Sequence, residues 1–452
     1  MSRPSSPTRI APLAVALWLV PAAAQARPLT LKEAVREALA RDPAVAAAAL
    51  DVTAAEEKTG EAQTAWLPRL GLQGTYRYAG PVPTLNMSVA TPFTPPGATE
   101  PLHIDIDKTL GINTYAAGDV TLGWLAFDFG ARDARIDAAR ALTRAARAQG
   151  RERAAQIAYA VRAAYLGDRL FQDVIDVTQK SLATAQEALR IEKARLDAGL
   201  GSQVAMAGAQ SRVAELESRL VEAQEQRARA AETLRLLLGW SKGETPEPSD
   251  TLEATVPASS AASGAATEPP NVAALRASAS ALGDQAEAIV RSYFPTLQLF
   301  GTAGYHYPRT FVETDAGWVW AFGASLNWDL FDGDLKRREH HEIQAKEAAT
   351  EKLRQAAAED AERARVDAET RLRAAASAIE ATESQLEAAE VYLKAAQGAH
   401  QAGMGTDLDL RQAETAVDAA HLQVLQSRFQ AAMAQASRLE AQGLTGTERE
   451  VQ

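Results

Sequence analysis

The chain has 452 residues, no cysteine and a formal net charge of −11. The acidic balance argues against a nucleic-acid partner, which asks for a basic surface. The missing thiols exclude disulfides, thiolate metal sites and lipid attachment through an N-terminal cysteine.

Residues 1–26 read as a secretory signal peptide: Arg3 and Arg9, the apolar run Ala11–Val20, then Ala24-Gln25-Ala26 as a small-residue cleavage site. The run is about ten residues and Pro21 follows, whereas a membrane anchor needs about twenty. No later stretch reaches about eighteen consecutive apolar residues, so no membrane-spanning helix is expected.

Residues 27–242 form the first of two repeats. Leu29-Thr30-Leu31-Lys32-Glu33-Ala34 opens a helix with Thr30 and Glu33 spaced as a capping box. Asp42-Pro43 breaks that helix, and a second runs to about Trp66. The period then changes to two. Over residues 69–79, Leu70, Leu72, Tyr76 and Tyr78 alternate with Arg69, Gln73, Thr75 and Arg77, which is a strand with one greasy and one wet face. Its partner over 117–128 carries Val120, Leu122, Trp124 and Ala126 on the greasy side. Between them, 79–118 holds Pro81, Pro83, Pro92, Pro95, Pro96 and Pro101 and reads as an irregular exposed loop. Residues 131–198 are almost free of Gly and Pro, so a helix of roughly 100 Å is expected. It ends at Gly199-Leu200-Gly201, where glycine accepts the left-handed backbone, and Ser202 caps the next helix over 202–240. A phosphate-binding loop would need a preceding strand and a third glycine, and neither is present.

Residues 243–270, rich in Pro, Ser, Ala and Thr, read as an extended linker to the second repeat, 271–443. There the expected order is a helix at 272–292, strands at 296–307 and 318–330, a long helix at 334–402 and a helix at 406–442. Leu297 and Leu299 lie on the greasy side of the first strand, with Trp320, Phe322, Leu326 and Trp328 on that of the second. The tip is Gly403-Met404-Gly405-Thr406, and the polar tail 444–452 reads as disordered.

The repeat is quantitative. An offset of 204 carries Gly199, Gly201, Trp124, Phe127 and Asp128 onto Gly403, Gly405, Trp328, Phe331 and Asp332. Upstream the offset is 227, pairing Leu67-Pro68 with Phe294-Pro295, so the first copy holds 23 extra residues within 79–118. After each tip the apolar residues run in heptads, with Ala209, Val213 and Leu216 in one copy and Ala413, Val417 and Ala420 in the other.

Four strands of this length, aromatic at both ends, fit a transmembrane β-barrel. One chain supplies too few to close it, and open edges are not tolerated in lipid, so copies must combine. No zinc-protease or serine-hydrolase signature appears. His340 and His341 are adjacent and point apart on a helix, so the six histidines read as solvated rather than ligating. The expectation is a protein that is not an enzyme and has no cofactor or metal.

The chain resembles the TolC-like outer membrane efflux proteins. The resemblance covers about residues 29–443 and rests on Leu29–Ala34 with Asp42-Pro43, Trp66-Leu67-Pro68-Arg69-Leu70, Phe127-Asp128-x-Gly130 with Phe331-Asp332-Gly333, and the two glycine tips. It implies a homotrimer in the outer membrane, with a twelve-stranded β-barrel and a twelve-helix periplasmic α-barrel. It implies an exit duct for a tripartite efflux pump or type I secretion system. The partners implied are a periplasmic adaptor and an inner-membrane transporter of RND, ABC or MFS type, with no nucleic acid. On that reading the greasy strand residues, Leu70, Leu72, Tyr76, Leu122 and Trp124 with their second-copy counterparts, face lipid. The tips Gly199–Ser202 and Gly403–Thr406 dock the adaptor. Asp409 matches a family aspartate that rings the periplasmic entrance, although the second such aspartate is Gln412 here and the gate arginine is Gly405. Thr406-x-x-Asp409 is equally a capping box, and the residues leave both readings open. The alternative is a periplasmic coiled-coil adaptor or scaffold, which would carry one helical hairpin and no aromatic strands.

Overall fold

The computed structural model of the chain describes residues 25–81, 84–109, 113–255, 268–309 and 315–445. In order the elements are β1 (Gln25–Leu29), α1 (Leu31–Arg41), α2 (Pro43–Gln63), β2 (Arg69–Tyr78), β3 (Thr84–Ala90), β4 (His103–Thr109), β5 (Thr114–Phe127), α3 (Ala131–Asp197) and α4 (Gln203–Leu237). There follow β6 (Glu244–Pro248), α5 (Leu252–Thr255), α6 (Pro270–Arg291), β7 (Thr296–Tyr307), β8 (Gly317–Asn327), α7 (Leu335–Gln401) and α8 (Asp407–Ala441). Each long helix crosses between two compact units, one of 1–46, 154–266 and 364–452 and one of 47–153 and 267–363.

The second of these units holds an antiparallel sheet in the order β2-β5-β7-β8. Each strand of this sheet pairs with the next of its strands in chain order, β5 with β7 included, although α3 and the elements after it lie between those two in the sequence. Here α2 runs beside the first part of α3: Thr59 and Thr143 share a hydroxyl hydrogen bond of 2.9 Å, and Arg147 pairs with Glu56 at 2.7 Å. A separate two-stranded sheet, β3–β4, occupies the stretch expected to be an irregular loop. The prolines that suggested a loop all lie outside its strands. The pairs Leu85, Met87, Val89 and Ile104, Ile106 keep the period of two that strands require.

The other unit carries the larger apolar core. Tyr165, Val161 and Ala158 of α3 pack with Val35 and Ala38 of α1, Leu234 of α4, and Leu238 and Trp240 beyond it. The Tyr165 hydroxyl donates to the Leu29 carbonyl at 2.9 Å and accepts from the Asp250 amide at 3.1 Å; burial pushes this phenol up to about 12. The expected linker 243–270 is therefore corrected at its start. Glu244–Pro248 forms a parallel ladder with Gln25–Leu29, because an extended Pro-rich segment can still accept through its carbonyls. The Asp250 carboxylate then accepts from the Leu31 amide at 2.7 Å. The remaining expectations on 1–24, 256–267 and 446–452 lie outside the described residues.

Among the described residues, no helix is long and apolar enough to cross a membrane.

Candidate functional site

The four-stranded sheet sorts its residues cleanly. Register pairs Leu70 with Leu122 and Leu72 with Val120; across the next seam, Leu122 meets Gly301 and Trp124 meets Leu299. The last seam sets Leu297 opposite Leu326, Gly301 opposite Phe322 and Ala303 opposite Trp320. All of these share one face. It stands open to solvent in the single chain: Leu72 is 84% exposed, Phe322 80% and Leu70 75%, and Tyr76 and Leu326 are exposed too. Leu297 and Leu299 are half-buried, and Trp328 lies one residue past the end of β8.

One residue changes side. A bulge between Leu125 and Phe127 sets Phe127 opposite Leu297, so Phe127 joins the greasy face where Ala126 was expected. An extra residue in one strand inverts the alternation after it. The other face carries Arg69, Gln73, Arg77, Thr121, Gln298 and Ser325 by the same register. His306, expected to be solvated, sits on this face against Asp119 with Nε2 and Oδ1 2.7 Å apart. Gly304 makes room for that pair, since a Cβ there would come within 2.2 Å of the Asp119 carboxylate.

Where sheet becomes helix, the two repeats use one device, which the sequence reading missed. Asp128 accepts from the Arg132 amide at 2.8 Å and Asp332 from the Lys336 amide at 3.0 Å, so each aspartate caps its long helix. The chain enters through two consecutive left-handed residues: Phe129 at φ 53° and Gly130 at 83°, then Gly333 at 71° and Asp334 at 70°. The cation one turn into the helix reaches back under an aromatic ring. Arg132 lies 3.7 Å from the centre of the Trp66 ring and donates to the carbonyls of Ala65 at 3.0 Å and Leu125 at 2.6 Å. Lys336 lies 5.8 Å from the Tyr293 ring centre and donates to the Ser292 carbonyl at 3.0 Å. Trp124 and Trp328 donate to the carbonyls of Trp66 and Tyr293 at 3.0 and 2.9 Å. The signal was present: both offsets, applied to Trp66, Trp124 and Arg132, name the second set.

At the far ends of the helices the two tips share one backbone pattern. Gly199 and Gly403 both have φ of 72°, and the amides of Leu200 and Met404 donate back to the carbonyls of Arg195 and Ala399 at 2.8 and 2.9 Å. The second glycine of each tip serves close approach instead. A Cβ on Gly201 would lie 2.8 Å from the Leu196 nitrogen, and one on Gly405 would lie 3.0 Å from that of His400. Each tip projects an apolar pair at helical spacing: Leu200 with Val204, and Met404 with Leu408, all strongly exposed. Ser202 accepts from the Ala205 amide at 3.1 Å, a cap without a box.

Asp409 closes a full capping box: its carboxylate accepts from the Thr406 hydroxyl at 2.6 Å and amide at 3.0 Å, while its own amide donates to Thr406 Oγ1 at 3.2 Å. The Thr406 hydroxyl, then its amide, hold this carboxyl below the usual range. Nearby, α8 is tied to the first hairpin. Asp407 lies 3.7 Å from Arg195, and Asp418 accepts from Ser181 at 2.5 Å and Arg212 at 2.7 Å. Burial, then the Asp418 charge, raise Glu414 beside them.

Comparison with known proteins follows this geometry. No curated protein matches the sequence. Among solved structures the chain is similar to CusC, with 16% identity, 92% of each chain covered and a TM-score of 0.75. It is similar to the open-state MtrE outer membrane channel of Neisseria gonorrhoeae, with 19% identity over 93% of this chain and 90% of that one and a TM-score of 0.75. The outer membrane protein VceC of Vibrio cholerae matches with 19% identity over 91% and 96% and a TM-score of 0.70. At these identities the likeness establishes the fold. The family described as "Outer membrane efflux protein" matches residues 34–240 and 262–441, most of the chain, and so this protein belongs to the outer membrane efflux protein family and is an outer-membrane channel with a large periplasmic portion.

Proposed function

We propose that three copies of the chain close a twelve-stranded barrel and serve as the exit duct of a tripartite efflux pump or type I secretion system. One observation carries the reading: an open antiparallel sheet, β2-β5-β7-β8, with free edges at β2 and β8 and one exposed apolar face. Unpaired edges cannot stand in hydrocarbon, so β2 of one copy pairs with β8 of the next. Leu72, Leu299 and Leu326 then face lipid, and Gln73, Gln298 and Asn327 face the lumen.

The tips dock the periplasmic adaptor, which couples the duct to an inner-membrane transporter. What supports this is duplication: each chain offers two equivalent knobs, Leu200–Val204 and Met404–Leu408, to a partner that would meet six around the axis. Asp409 contributes a ring of carboxylates at the entrance while keeping its place in the cap, since the box engages one of its oxygens.

Mass measurement of the detergent-extracted protein tests the assembly. Three chains are expected, and a stable monomer sinks the reading. Replacing Gly199 or Gly403 by valine is expected to abolish export while the trimer persists, because a β-branched residue does not adopt the left-handed backbone. Export that survives both changes places docking elsewhere.

A further inference from the structure

We propose that the apolar face of the β3–β4 hairpin is an interaction surface whose occupant is the same hairpin of neighbouring copies of this chain, at the outer end of the channel. The inference rests on the trimeric reading above. It starts from the insertion that only the first repeat carries.

The hairpin is well formed. Its seven paired positions run from Thr84 opposite Thr109 to Ala90 opposite His103, and the ladder continues as the Thr91 amide donates to the Leu102 carbonyl at 2.7 Å. Register divides it into two unlike faces. Leu85, Met87 and Val89 lie opposite Lys108, Ile106 and Ile104; Asn86 and Ser88 lie opposite Asp107 and Asp105. On the polar face Ser88 Oγ donates to Asp105 at 2.5 Å. Among the described residues the apolar face stands open: Ile104 is 52% exposed, Met87 46% and Val89 43%. Phe93 and Leu102, at 60% and 50%, extend it past the paired positions. A lone two-stranded hairpin is marginal in water, so an ordered one with a bare apolar face implies a partner.

Three observations point to a second copy rather than to lipid. First, the hairpin joins the free edge strand β2 to β5, so it leaves the sheet beside the edge where the next copy would pair. Second, β2 already has ten residues, about what a tilted strand needs to cross the bilayer, and the hairpin lies beyond its outer end. Third, Glu100, Asp105 and Asp107 outnumber Lys108, so an anionic membrane surface would meet the hairpin with like charge. The apolar face bears Lys108 as its single charge, at one end of the ladder, and Met87, Val89, Ile104 and Ile106 form an uncharged patch that a second copy matches with its own. Three such faces turned toward the axis bury one another and leave the acidic faces to water.

The chain has no cysteine, so single cysteines in the full-length protein report without background. Trimer mass is measured first on each variant; failure to assemble counts against the exit-duct reading and not against the hairpin contact. In isolated outer membranes, Met87→Cys and, as a second reporter, Val89→Cys are expected to be cross-linked between copies by a short thiol–thiol reagent. Asn86→Cys, on the acidic face, is not. Adding Ile106→Asp to Met87→Cys is expected to abolish the cross-link with trimer mass unchanged. The proposal is overturned if trimers form and neither reporter cross-links. A reporter reached by a water-soluble maleimide then means a free loop, and one reached only by a lipid-soluble maleimide means a hairpin docked on the membrane. Cross-linking that survives Ile106→Asp overturns the apolar contact as its cause.

Discussion

α3 and α7 are each 67 residues long, and each leads through a short tip into a helix of 35. Their boundaries obey the offset of 204 at both ends, yet their surroundings differ. α3 buries Tyr165 and Val161 under α1, Leu29 and α4, and Leu166 and Leu170 under Leu252 of α5 and Ala432 of α8, together with the polar residues Arg162 and Asp168. α7 buries only Ala368, Ala375, Ala389 and Ala396, a heptad-spaced line of small residues that fits one neighbouring helix. Duplication set length and phase, and the elements packed on α3 alone, α8 of the second copy among them, set burial.

The largest expected effect tests that contrast directly. Tyr165 and Glu369 occupy equivalent positions under the offset, the one fully buried and the other half exposed beside Arg365. Tyr165→Ala opens a cavity and strands the Leu29 carbonyl, for an expected loss of about 3–5 kcal/mol in denaturant melts of the assembled protein. Glu369→Ala is expected to stay within about 0.5 kcal/mol. Equal losses would mean that the two helices are buried alike in the assembly.

The helix–sheet joints offer a second contrast. Arg132 is 2% exposed, whereas the Lys336 side chain is 18% exposed. Arg132→Ala leaves two carbonyls without their donor and the Asp128 carboxylate without its counter-charge, at an expected cost of about 3 kcal/mol. Lys336→Ala is expected to cost about 1 kcal/mol, since water can replace the ammonium. Similar melting shifts in the two variants would erase the difference between the joints.

The third prediction concerns pH. Asp168 is fully buried with Arg227 at 3.2 Å, and burial pushes its carboxyl up to about 6. Its counterpart, Leu372, cannot titrate. The folded state holds this proton above the pH at which the unfolded chain releases it. The stabilisation is therefore full below about 4 and is lost as pH rises through about 6. Asp168→Asn is expected to flatten that part of the stability profile; an unchanged slope between pH 4 and 6 assigns it to other groups.

The smallest effect is expected at the tips. Asp409 belongs to a capping box, and its counterpart Ala205 does not. Asp409→Ala is expected to lower melting slightly and to reduce cation selectivity in planar bilayers. Unchanged selectivity with lower melting would confine Asp409 to the cap. Ala205→Glu sharpens the comparison by completing the box at the first tip, with a small gain in melting expected.

Local chemistry and repetition were enough to read the four strands of the larger sheet, the long helices, both tips and the Thr406–Asp409 box, because each depends on neighbours within one turn or one strand period. The same holds for the capping aspartates of Phe127-Asp128 and Phe331-Asp332, whose motif was visible before its purpose. What lay beyond the sequence joins residues far apart in it. The bulge that moved Phe127 onto the greasy face arises from pairing with Leu297, and the β1–β6 ladder joins the start of the chain to the stretch between repeats. Arg132 found its ring at Trp66, 66 positions back, and His306 found Asp119 across a strand seam. Period and propensity specify which face a residue shares with its neighbours. Which distant segment covers that face is decided by packing and hydrogen-bond satisfaction over the whole chain.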